Sequence, residues 1–130
     1  MEGKRMRFNK FGVNTGIKAK FTTVRRMKSL GFVECGHYWS FMQPVYEYDL
    51  FYEIRVYTKS GTVSIEVADG AIVQLFVFDV DKQLGSNDAT VATIAQAMYD
   101  IIYQKLKEFE KNGLIYFENF EYGDPIVKYD

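Results

Sequence analysis

The sequence predicts a two-layer α+β domain, and three features carry that expectation. Between Phe32 and Val80, apolar and polar residues alternate in runs of strand length, separated by turn residues. From Ala89 to Lys111 the apolar residues recur three and four positions apart, the spacing of one helix face. A shorter helical stretch precedes both and ends at Leu30-Gly31. The expected fold is a four- to five-stranded antiparallel meander with one short N-terminal helix and one long C-terminal helix. The chain has 130 residues, enough for one domain with a real core.

Residues 1–16 mix basic side chains with Phe8, Phe11, Gly12 and Gly16 and read as a basic arm. Met6 and Phe8, alternating with Arg5 and Arg7, also permit a short strand there. Ile17 to Leu30 admits two readings. As one helix it lines up Ile17, Phe21, Val24, Met27 and Leu30, but places Lys20 and Lys28 inside the apolar arc. As strand then helix, Ile17, Ala19 and Phe21 alternate with lysines, and Thr22 or Thr23 caps a short helix burying Val24, Met27 and Leu30. The second leaves only Lys28 unexplained and is preferred. Gly31 suits the helix end in either case.

Phe32 to Met42 reads as one strand, with Val33, Cys35, His37, Trp39 and Phe41 on one face. Gln43-Pro44 breaks it. In Tyr46 to Thr58, Tyr48, Leu50, Tyr52, Ile54 and Val56 face inward, while Glu47, Asp49, Phe51, Glu53, Arg55 and Tyr57 face out. Lys59-Ser60-Gly61 signals a hairpin into the strand Thr62 to Ala68, and Asp69-Gly70 a second turn. Ala71 to Val80 is apolar on both faces, which requires cover on the second side of the sheet. Gln83 to Asn87 is a loop, and Asn87 or Asp88 caps the long helix. Its stripe is Val91, Ile94, Ala95, Met98, Ile101, Ile102, Leu106 and Phe109, and Asn112-Gly113 ends it. Leu114 to Tyr122 allows a last strand, and Gly123 to Asp130 reads as an exposed tail.

This order of elements resembles, in style, small single-domain proteins of phages and mobile elements. Those often pair an early helix ending in Leu-Gly-Phe, here Leu30-Gly31-Phe32, with a meander and a late helix. The resemblance implies a regulatory or inhibitory binding protein and carries over no site residue.

Charge is segregated. Nine Lys or Arg and one acid, Glu2, fall within the first thirty residues, and seven bases against sixteen acids in the rest, for a net charge of −1. Such a split makes a field that the net charge conceals. A single cysteine forms no disulfide within the chain, so the expected compartment is the cytoplasm. The basic start lacks the apolar stretch of a signal peptide. The longest apolar run, Ala71 to Phe78 with Gln74 inside it, is far short of the ~20 residues of a membrane helix.

Catalytic and metal signatures are weak. Cys35 and His37, two apart on a strand, face the same way as a nucleophile and its base would, but among apolar neighbours the thiol is inert. Asp79 and Asp81, with Lys82 adjacent and Glu66 nearby, form a poor cation site. No phosphate-binding glycine loop or serine nucleophile elbow occurs. No cofactor, metal, catalytic residue or small-molecule substrate is expected.

Two binding readings follow. The leading one is a protein-interaction or inhibitor module, or a self-associating one, using Glu47, Asp49, Phe51, Glu53 and Tyr57. This aromatic-acidic face suits a basic partner and mimics phosphate charge. The alternative is nucleic-acid binding through Arg5, Arg7, Lys10, Lys18, Arg25 and Arg26, the last three forming a ridge if Ile17 to Leu30 is one helix. An overall pI near 5.9 weighs against it.

Overall fold

The computed structural model describes residues 12–20, 22–69 and 78–126. Over these the chain is α+β, with a six-stranded antiparallel sheet and a long C-terminal helix. In chain order the elements are β1 (Gly12–Ala19), α1 (Val24–Ser29), β2 (Val33–Glu34), β3 (Trp39–Val45), β4 (Leu50–Tyr57), β5 (Thr62–Asp69), α2 (Val80–Gln83), α3 (Ala89–Lys111) and β6 (Ile115–Phe117). A single 3-10 turn, Tyr46–Tyr48, joins β3 to β4. The strands lie in the order β2-β3-β4-β5-β1-β6. The β2-to-β5 half holds three of the four strands of the expected meander, the first of them split into β2 and β3; the fourth, read from Ala71 to Val80, falls largely on residues outside the described ones. Beside β5 the sheet also takes in β1, and beside β1 it takes in β6, while the one-turn α2 adds a helix.

Ile17 to Leu30 is strand then helix. Ile17 is wholly buried, and Thr23 caps α1 by accepting the Arg26 N–H at 3.1 Å. Met27 is buried as expected, but Val24 lies on the solvent side, half exposed. The long strand read from Phe32 to Met42 is two strands. Gly36, with φ at 82°, reverses the chain, and the Cys35 N–H donates to the Tyr38 carbonyl to close the turn. Tyr46 to Tyr48 is likewise outside β4; Asp49, in the left-handed region with φ at 58°, makes the corner. The expected strand from Ala71 does not reach Val80, which opens α2 under the Asp79 cap; residues 70–77 lie outside the described residues.

The inner sheet face packs Trp39, Phe41, Tyr52, Ile54, Val56, Val63, Ile65 and Val67 against Met98, Ile102, Leu106 and Phe109 of α3. Asp88 caps α3 by accepting the Thr90 N–H at 2.9 Å. Beyond β6 the chain is not the expected loose tail through residue 126. Ile126 is wholly buried, its carbonyl accepts from Asn14 Nδ2 at 2.7 Å, and its N–H donates to Asp81 Oδ1 at 2.9 Å. Tyr99 on α3 fastens the same segment: its hydroxyl accepts the Gly123 N–H at 2.8 Å and donates to the Asp124 carbonyl at 2.6 Å. Tyr99→Phe is therefore expected to cost about 1–3 kcal/mol. It should speed amide exchange at residues 123–126 while the centre of α3 stays protected. Unchanged exchange there would show that the hydroxyl does not hold the segment. No helix among the described residues is long and apolar enough to cross a membrane.

Candidate functional site

The hairpin between β4 and β5 sets the geometry of the opposite sheet face. Its four-residue connection pairs Tyr57 with Thr62, and that register carries Arg55 onto Ser64, Glu53 onto Glu66 and Phe51 onto Ala68. The partner strand β3 adds Ser40 beside Arg55 and Met42 beside Glu53. Apart from Ala95, the buried residues of α1, α2 and α3 belong to one core cluster with the inner-face strand residues, so this outer face is helix-free among the described elements.

At its centre two carboxylates oppose each other on adjacent strands, an arrangement that destabilises when both are charged. Glu53 is 7% exposed and well satisfied: its Oε2 accepts from the Ser40 hydroxyl at 2.6 Å and from Arg55 Nε at 2.9 Å. The Arg55 guanidinium lies 4.3 Å from the centre of the Tyr38 ring, which packs on Tyr57 with centroids 5.2 Å apart. Glu66 is not satisfied. Its Oε1 is buried and has no hydrogen-bond partner. Burial pushes its carboxyl up to about 7; Arg55 opposes that shift and Glu53 adds to it.

The sign of the pH dependence follows. Below its ordinary value of 4.5, Glu66 is protonated in folded and unfolded chains alike. Between 4.5 and about 7 the folded chain holds the proton more tightly, so stability falls as pH rises through that window, and the deficit persists above it. Discounted for partial exposure, the deficit is about 1–2 kcal/mol. Glu66→Gln should recover about that much at pH 8 and nothing at pH 4, measured by urea denaturation. An equal change at both pH values would mean that the charge is not its cause.

The predicted site residues scatter around this centre. Phe51 and Tyr57 are half-buried on the outer face; Glu47 and Asp49 are exposed in the turn before β4. Glu53, expected to face solvent, faces out but is buried under its own hydrogen bonds. Two exposed apolar side chains on the β3 side, Met42 and Val33, also belong to this face. Both they and Glu66 escaped the reading of single strands. The Lys59-Ser60-Gly61 turn was the available signal, since the hairpin register it sets puts Glu53 on Glu66.

The basic residues do not form the expected ridge. Lys18 sits on β1, 4.0 Å from Glu118, while Arg25 and Arg26 sit on α1. Arg26 is engaged at the end of α3, donating through Nε to the Asn112 carbonyl at 3.1 Å and through a terminal nitrogen to Asn112 Oδ1 at 3.3 Å. Arg5, Arg7 and Lys10 lie outside the described residues. Cys35 and His37 are exposed in the β2–β3 turn, neither sharing a strand face nor packed in an apolar setting. Asp79 and Asp81 serve as the α2 cap and as the acceptor for Ile126. A groove of about 620 Å³ between the end of β3 and α3, lined by Gln43, Tyr52, Lys105 and Lys111 among others, touches neither carboxylate of the outer face. No protein-family model, curated protein or solved structure shows significant similarity to this chain.

Proposed function

We propose that the chain is a non-enzymatic binding protein, a small protein-interaction or inhibitor module. Its docking surface is the outer sheet face, helix-free among the described residues, and its partner is a basic protein. The observation that carries the reading is the buried, unpartnered Oε1 of Glu66 opposite Glu53. A lysine or arginine delivered there supplies the missing donor and removes the like-charge repulsion in one contact. Met42, 56% exposed, and Val33, 63% exposed, give that contact an apolar flank, with Phe51 and Tyr57 as aromatic anchors. Glu47 and Asp49 add negative charge at the start of β4 that steers a cationic partner.

The reading is tested by capture from a bacterial lysate on the tagged chain, with and without nuclease, comparing wild type with Met42→Asp, Phe51→Ala and Tyr57→Ala. Met42 is a surface residue, so Met42→Asp should keep the thermal midpoint and lose at least about tenfold in capture of a discrete, nuclease-resistant protein. Retained nucleic acid that is lost after Arg25→Glu with Arg26→Glu, and that weakens steeply with salt, would replace this reading with the nucleic-acid one.

A further inference from the structure

The groove between the end of β3 and α3 has a chemistry of its own, separate from the outer sheet face. At about 620 Å³ it falls within the roughly 300–1,000 Å³ of small-molecule sites. It is lined by Tyr52, wholly buried, whose hydroxyl donates to Gln43 Oε1 at 2.5 Å. Burial, with Glu108 adding to it, pushes this phenol above its ordinary range and keeps the proton that the bond needs. A side-chain amide offers one acceptor oxygen and two N–H donors. With Oε1 taken by Tyr52, Gln43 has its N–H pair left for a ligand, and neither N–H has a partner among the described residues. Five charged side chains also line the groove, and four of them cancel in pairs: Lys105 Nζ lies 3.0 Å from Glu108, and Lys107 Nζ 2.8 Å from Glu110. Lys111 is left without a counter-ion among the described residues. The carbonyl end of α3, whose dipole repels an anion, is already covered. The carbonyls of Glu108, Phe109 and Glu110 accept the N–H groups of Asn112, Leu114 and Gly113 at 3.0–3.1 Å, and the Asn112 carbonyl accepts from Arg26.

What the groove has unspent is therefore hydrogen-bond donors and one positive charge. From this we infer that it binds a small molecule carrying a carboxylate or phosphate group, whose oxygens accept from Gln43 Nε2 and Lys111 Nζ. Tyr52 prepares the site without touching the ligand, because its bond to Oε1 fixes which end of the Gln43 amide is free. Charge-assisted donors of this kind hold an oxyanion more strongly than neutral pairs do. Neither Glu53 nor Glu66 lines the groove, so the site stands or falls apart from the function proposed above.

The test titrates the isolated full-length chain, labelled with nitrogen-15, with sodium phosphate and separately with sodium succinate. Sodium chloride at matched ionic strength is the blank. The side-chain amide signals of Gln43 and of Gln104, which also lines the groove, should shift and saturate with at least one of the two anions and stay still in chloride. The anion that acts tells phosphate from carboxylate. Gln43→Glu keeps an acceptor for Tyr52 but exchanges both donors for a negative charge, and should weaken binding, followed at Gln104, by at least about tenfold. Lys111→Gln should weaken it about tenfold, while Lys59→Gln, in the exposed turn between β4 and β5, should leave it unchanged. Gln43 and Lys111 are both exposed, so the thermal midpoint should hold, and Lys111→Gln decides alone if Gln43→Glu does not fold. A response to neither anion, shifts that chloride reproduces, or equal weakening by Lys59→Gln would overturn the inference. So would full affinity in the folded groove variants.

Discussion

Gly16→Ala is expected to remove about 3 kcal/mol or more of stability, since among the glycines whose surroundings are described it has the tightest backbone approach. A Cβ at Gly16 would stand 2.1 Å from the Asn119 carbonyl oxygen and 2.8 Å from its carbon, both rigid backbone. The approach is close because the Gly16 carbonyl accepts the N–H groups of both Glu118 and Asn119 at 2.9 Å, locking the turn after β6 onto β1. Relief of the clash must break those bonds or slide β6 off β1, loosening the segment that ends in buried Ile126. Gly85→Ala is the control: its nearest neighbour is 3.8 Å away, so little change is expected. Urea denaturation of both variants checks the pair, and equal stabilities would contradict the tight β1–β6 contact.

The second large effect is Phe109→Ala, expected to cost about 3–5 kcal/mol. Phe109 is wholly buried where three parts of the chain meet. Its ring centroid lies 4.9 Å from that of Phe32, between α1 and β2, and 5.1 Å, edge-on, from that of Phe41 on β3. The hole left by truncation opens between elements that are each held by other contacts, so it collapses poorly. Phe109→Leu keeps most of the volume and should cost less than half as much. A drop in denaturation midpoint of equal size for both would mean that volume at this junction does not set stability.

The sheet's inner face was legible because alternation is a local pattern and one side of β4, and of β5 as far as Val67, is apolar. The stripe of α3 was legible for the same reason, and Lys20, which only the strand reading explains, sorted strand from helix in Ile17 to Leu30. Three features were not legible, each for a definite reason. Alternation ran unbroken through Cys35 to Tyr38, so the turn there had only Gly36 to announce it. The pairing of β1 with β6 joins residues about a hundred positions apart, which no window along the chain reveals. Ile126 is a lone apolar residue in a polar stretch, without periodicity, yet Asn14, Asp81 and Tyr99 converge on its segment. At the candidate site, alternation correctly pointed Glu53 outward, but facing outward is not the same as meeting water. Its carboxylate is satisfied by Ser40 and Arg55, and the like-charge contact at Glu66 follows from a register shared by two strands.

That register also organises the electrostatics. Were the hairpin shifted by one residue, Glu53 would leave Glu66, and the side chains of β5 would exchange faces. The carboxylate pair is thus tied to the same pairing that buries Ile54 against Ile65, and the chain cannot relieve one without losing the other.

The most direct measurement places a photo-cross-linking residue at position 42 on the helix-free face and, in a second protein, at position 116 on β6, where Tyr116 is also exposed but at the far edge of the sheet. Both are irradiated in nuclease-treated bacterial lysate. The predicted result is a discrete adduct with one basic protein from position 42, absent from position 116 and reduced by Glu66→Gln. An adduct formed equally well from position 116, or one from position 42 that is indifferent to Glu66→Gln, would contradict the assignment of binding to the Glu53–Glu66 face.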